Sequence, residues 1–108
     1  MVDIINECKE YLDIVHVSTG GLIPTEIETY PGYQVNYSSV IKEKCGIPTI
    51  AVGLITDISM AEEIISNGRA DLVAFGRELL RNPFLVLKEA QSRNLAFDYP
   101  KQYKGAFQ

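Results

Sequence analysis

Three short apolar runs punctuate the chain: Asp13-Ile14-Val15-His16-Val17, Pro48-Thr49-Ile50-Ala51-Val52 and Asp71-Leu72-Val73-Ala74-Phe75. Two are rich in β-branched residues, all are continuous rather than alternating, and each is closed by glycine within a few positions. That pattern predicts parallel strands covered on both faces. The stretches between them carry helical signals. Residues 34–44 place Val35, Val40 and Ile41 in a run that stops at Gly46 with Pro48 beyond, a favourable C-terminal pair. Ser59-Met60-Ala61-Glu62 has the spacing of a capping box and opens a helix with Ala61, Ile64 and Ile65 on one face, ending at Gly68. Asn82-Pro83 reads as a cap followed by a first-turn proline, with Phe84, Leu87 and Ala90 as the stripe behind it. Residues up to about Leu12 form a helix before the first strand. The order α-β-α-β-α-β-α implies an α/β fold with parallel pairing and right-handed crossovers.

The segment from Ser18 to Tyr33 is the longest connection and is rich in Gly, Pro, Thr and Tyr. Connections of this length commonly carry function. All three strands also end in small or polar residues: Ser18-Thr19-Gly20-Gly21, Gly53 and Gly76-Arg77. Ligands of parallel α/β folds bind at these C-terminal strand ends. Glycine permits close approach to the backbone, and the Arg77 guanidinium matches phosphate oxygens. The residues alone leave two readings open, a phosphate cradle or tight turns with Arg77 paired to a surface carboxylate.

Composition narrows the field without choosing between them. At 108 residues with 46 % hydrophobic positions, the chain fits one globular domain. A net charge of −4 argues against nucleic acid or an anionic membrane as partner. No apolar stretch reaches the roughly 20 residues of a membrane span. The N-terminus lacks the basic and apolar regions of a signal peptide, so a cytoplasmic protein is expected. Cys8 and Cys45 have no metal-ligand spacing and read as two reduced thiols. His16, the one histidine, lies inside a strand and reads as a satisfied structural residue.

Taken in order, Ala51-Val52-Gly53-Leu54-Ile55-Thr56-Asp57, Met60-Ala61-Glu62-Glu63-Ile64, Asn67-Gly68-Arg69-Ala70-Asp71-Leu72-Val73 and Gly76-Arg77-Glu78-Leu79-Leu80-Arg81-Asn82-Pro83 strongly resemble the end of the Old Yellow Enzyme family. Ser18-Thr19-Gly20-Gly21 and Tyr30-Pro31-Gly32-Tyr33-Gln34 fit the family's bacterial NAD(P)H dehydrogenase branch, the thermophilic-like ene-reductases. The resemblance implies an FMN-containing TIM (β/α)₈ barrel, of which the three βα units here are strands 6–8. The barrel is then incomplete, since such barrels run to about 250 residues. Residues 1–108 form a single partial domain, with 94–108 an extended tail.

By the same resemblance, Gly53, Gly76 and Arg77 hold the FMN phosphate, with Ser18 and Thr19 at the rim. NAD(P)H is the co-substrate of the full enzyme. The flavin-ring contacts, the substrate-anchoring pair and the tyrosine proton donor come from earlier strands, so no catalytic residue is expected here. Relatives often end in an arginine and an aromatic that enter a neighbouring subunit; Lys104 and Phe107 stand in those places, and lysine lacks the bidentate fork. A cut barrel exposes sheet edges and an apolar inner face, so a homo-oligomer or the missing N-terminal half is the expected partner. The alternatives are a stand-alone phosphate- or nucleotide-binding module and a remnant without function.

Overall fold

In the computed structural model, residues 1–20, 23–24 and 26–107 are described. Their contacts divide the chain into two compact units, Met1–Gly76 and Arg77–Gln108.

The first unit is built on three parallel strands, β1 (Val15–Val17), β2 (Thr49–Ala51) and β3 (Leu72–Val73), in the order β1-β2-β3. Val15 pairs with Thr49, His16 with Ile50 and Val17 with Ala51; Ile50 then pairs with Leu72 and Ala51 with Val73. The runs that suggested five-residue strands therefore hold only two or three laddered residues each. Helix α1 (Val2–Cys8), continued by a 3₁₀ turn at Lys9–Tyr11, precedes β1. Helices α2 (Val35–Cys45) and α3 (Ile58–Ser66) follow β1 and β2.

The sheet has two unlike faces, and the register says which residues share each. Val15, Val17, Thr49, Ala51 and Val73 point toward the helices. Val17 packs with Ile5, Ile41, Cys45 and Ile47 in one cluster. Ala51 packs with Val35, Ile55, Ala61, Ile64 and Ala70 in another, with Val73 and Phe75 against it. On the opposite face His16, Ile50 and Leu72 form a row across the three strands. His16 is exposed and Leu72 keeps 53 % of its surface. The expectation of strands covered on both faces thus holds for one face only, and His16, which does lie inside a strand, is exposed there.

Local sequence chemistry explains the helix ends. Gly46 closes α2 in the left-handed conformation (φ 64°), its N–H donating to Lys42 O, a geometry glycine adopts without steric cost. The buried stripe of α2 is Val35, Ser38, Ile41 and Cys45, while Val40 is half-buried. At α3 the cap differs from the capping-box expectation. Asp57, not Ser59, is the N-cap, and its carboxylate accepts the Met60 N–H at 2.7 Å. Ile58 is already helical, so Ser59 lies inside the first turn. Ala61 and Ile64 are buried on this helix, and Ile65 remains 47 % exposed. Both cysteines are free thiols, Cys8 exposed and Cys45 buried.

Lys42 and Asp71 join α2 to the start of β3. The Lys42 ammonium lies 2.6 Å from Asp71 Oδ1, and Thr49 N–H donates to Asp71 Oδ2 at 2.9 Å. Ser38, fully buried, donates to Val35 O at 2.7 Å and approaches Arg69 O at 3.3 Å.

The second unit opens with a short helix, α4 (Arg77–Arg81), that the strand-helix alternation did not anticipate. Helix α5 (Leu85–Ser92) begins later than the Asn82-Pro83 signal implied. Its N-cap position is Phe84, and Asn82 contributes its carbonyl, which accepts Leu85 N–H at 3.1 Å. Residues 94–107, expected to be extended, include a 3₁₀ helix at Lys101–Ala106. There Tyr99 stacks on Phe107 with ring centroids 5.2 Å apart, and Phe84 meets Tyr103 edge-on at 5.2 Å.

Candidate functional site

The strand ends converge within the first unit through one side chain that the sequence did not single out. Gln34 stands at the N-cap position of α2, yet its side chain makes no cap bond. Instead its Oε1 accepts the backbone N–H of Thr19, and the Thr19 hydroxyl donates to the same oxygen at 3.1 Å. Gln34 is 5 % exposed, so its amide needs such partners to offset its desolvation.

The same side chain lies against Gly53. A Cβ at Gly53 would stand 3.1–3.2 Å from Nε2, Cβ and Cγ of Gln34, and Gly53 has φ +127°. Glycine is required here by backbone conformation and by close packing at once. Gly32 N–H donates to Gly53 O at 2.8 Å, tying the end of the long connection to the turn after β2. Tyr30 and Tyr33 meet edge-on beside this turn, with ring centroids 6.2 Å apart.

Of the five residues expected at a phosphate site, Thr19 and Gly53 are therefore brought together through Gln34. Ser18, just before them, is exposed. Gly21, quoted with the same motif, lies outside the described residues. Gly76 follows β3, and a Cβ there would meet nothing within 4 Å. Arg77, the next residue, opens α4 in the second unit and is exposed. It makes no ion pair among the described residues. No cluster of three or more His, Cys, Asp or Glu residues able to hold a metal ion occurs among the described residues.

Asp71 carries a perturbed carboxyl. The Lys42 ammonium and the Thr49 N–H hold its carboxyl below the ordinary range. It stands at the N-terminal side of β3, away from the strand ends just described, and its role is structural.

Gln34 was quoted only as the end of the Tyr30-Pro31-Gly32-Tyr33-Gln34 motif and given no role, because its partners are 15 and 19 residues away and no local pattern encodes them. The available signal was a lone amide between Tyr33 and Val35, at the onset of an apolar stripe.

Comparison with known proteins bears on what these strand ends serve. Residues 2–96 match the NADH:flavin oxidoreductase / NADH oxidase family. The chain is 61 % identical over 107 residues to an NADPH dehydrogenase of Clostridium acetobutylicum, covering 99 % of this chain and 32 % of that protein. It is 48 % identical over 96 residues to an NADPH dehydrogenase of Geobacillus thermodenitrificans and 47 % identical over 96 residues to one of Bacillus subtilis. These two matches each cover 89 % of the chain and 28 % of the relative. The chain thus spans about a third of the length of the curated relatives it matches. As its resemblance to the Old Yellow Enzymes implied, the chain belongs to the NADH:flavin oxidoreductase / NADH oxidase family.

Proposed function

We propose that this chain is the C-terminal portion of an FMN-dependent NADPH oxidoreductase, supplying strands six to eight of a (β/α)₈ barrel and the phosphate-binding end of the cofactor site. The observation that carries the reading is the match of residues 2–96 to the NADH:flavin oxidoreductase / NADH oxidase family, and the end of β3, where Gly76 is open and Arg77 is exposed, is consistent with it. A guanidinium in that state offers a planar pair of donors to a phosphate dianion. Gly53 and Gly76 supply backbone at the second and third strand ends, and Ser18 and Thr19 stand at the rim. FMN, when bound, supplies the ring that accepts and returns a hydride. This chain's residues bind and orient the phosphate, and none of them takes part in the hydride step.

The row His16, Ile50 and Leu72, exposed at its two ends and half-buried at Ile50, supports the barrel assignment, because a barrel interior is closed by strands from all sides. On this reading the partner is a polypeptide that supplies the remaining two thirds of the relatives' length. The test is reconstitution. The chain is mixed with a polypeptide matching the rest of the Clostridium acetobutylicum relative, FMN is added, and NADPH oxidation is followed. Turnover in the mixture and in neither part alone is expected. A mixture that co-purifies with FMN yet oxidises no NADPH contradicts the assignment, and phosphate binding without association favours a stand-alone module.

A further inference from the structure

We infer that Gln34 is a positioning residue for the phosphate end of the site: its amide fixes the turn after β1 relative to the turn after β2. The inference rests on the phosphate reading above and adds to it the residue that sets the spacing.

Three observations carry it. Gln34 sits where a helix cap would be and does not cap, so its buried polar group is committed to another purpose. That purpose is visible, because Oε1 receives both donors of Thr19, the backbone N–H and the hydroxyl. Two donors from one residue onto one buried acceptor leave the turn little freedom to shift. The body of the same side chain then packs on Gly53 so closely that a Cβ there would force it to give by a few tenths of an ångström, while Gly32, two residues earlier, bonds Gly53 O. The turns after β1 and β2 are therefore held to one another through residues 32–34. Oxyanion-binding sites depend on donors placed before the ligand arrives, and displacements below an ångström are costly.

One consequence separates the five candidate residues. The Thr19 N–H is spent on Gln34 and is not available to a phosphate oxygen. Thr19 acts through the position of its turn, whereas Gly76 and Arg77 remain as groups that bind directly.

The test compares FMN with riboflavin, which differ only in the phosphate, by titration of the chain against flavin fluorescence. Gln34→Leu keeps the bulk and removes the acceptor. It should reduce the preference for FMN over riboflavin about tenfold, the size of one lost hydrogen bond, and leave riboflavin binding unchanged. The Thr19 amide should lose its protection from hydrogen exchange in ¹H–¹⁵N spectra while amides of the β2 ladder keep theirs. Gln34→Met, of similar volume and more adaptable, repeats the test if the leucine variant does not fold. If Arg77→Ala abolishes the preference and both Gln34 variants retain it, the positioning role is refuted and the phosphate reading stands. If the unmodified chain shows no preference for FMN over riboflavin, both fall together.

Discussion

Replacing Gly53 by alanine tests the packing at the strand ends, at a position that also supplies backbone to the proposed site. The backbone there has φ +127°, a region side-chain-bearing residues rarely occupy, and such strain costs on the order of 1–3 kcal/mol. The new methyl would also stand 3.1–3.2 Å from three atoms of Gln34, two of them the Cβ and Cγ next to its backbone. Those atoms cannot swing away as a side-chain tip would, and moving the whole side chain breaks its bonds to Thr19. Overpacking of this kind costs roughly 1–3 kcal/mol. Together the two effects predict a loss of about 3 kcal/mol, a large part of the roughly 5–15 kcal/mol typical of a domain. Urea denaturation of the variant and the unmodified chain measures it. In a Gln34→Ala background the contacts to Nε2 and Cγ disappear while the contact to Cβ and the strain remain, so the double-mutant cycle should return a coupling of about 1 kcal/mol. A loss in Gly53→Ala below about 0.5 kcal/mol would refute the argument from strain and contact. A coupling near zero would refute the contact alone.

Other substitutions read other parts of the structure. Ile64 is fully buried between α3 and the sheet, so Ile64→Ala should lower stability by about 2–5 kcal/mol in urea, and a loss under about 1 kcal/mol would show that it is not core. Thr49 is buried and its hydroxyl has no partner among the described residues, so Thr49→Val should be neutral or stabilise by up to about 1 kcal/mol. A clear destabilisation would reveal a bond to that hydroxyl. Asp71 has its folded pKa lowered by Lys42 and the Thr49 N–H. Its contribution is therefore complete above the unfolded value of about 3.9 and is lost as pH falls through the lower folded value. Because its side chain is 37 % exposed, solvent screening limits the ion pair to about 1 kcal/mol. Urea midpoints should fall more steeply below about pH 4 in the unmodified chain than in Asp71→Asn, and parallel profiles would contradict the assignment.

The fold was legible where local chemistry decides it. Continuous apolar runs located all three strands, and Gly46 and Gly68 marked the ends of α2 and α3. Strand length was not legible, because an apolar residue such as Phe75 packs against the core after the ladder has ended. The cap of α3 was misplaced because Asp57 and Ser59 both offer an oxygen at the helix entrance, and spacing alone favoured the wrong one. Asn82-Pro83 gave a turn preceding α5 in place of its cap, with α4 interposed before it. The apolar runs predicted cover on both faces, whereas α1 and α2 cover only the Val17 side and leave the His16 row open. At the strand ends, Gly53 was found for one reason and proved to be constrained by another, the Gln34 side chain. Gln34 itself depends on contacts distant in sequence, and only the folded chain brings them together.

The central claim is that these strand ends carry the phosphate half of an FMN site. It is tested most directly by titrating the chain with FMN and following flavin fluorescence, alongside Arg77→Ala. With the ring contacts absent, the account predicts saturable binding at about 0.1 mM or weaker, removed by Arg77→Ala. Binding that survives the substitution unchanged, or no binding up to millimolar FMN, would contradict it.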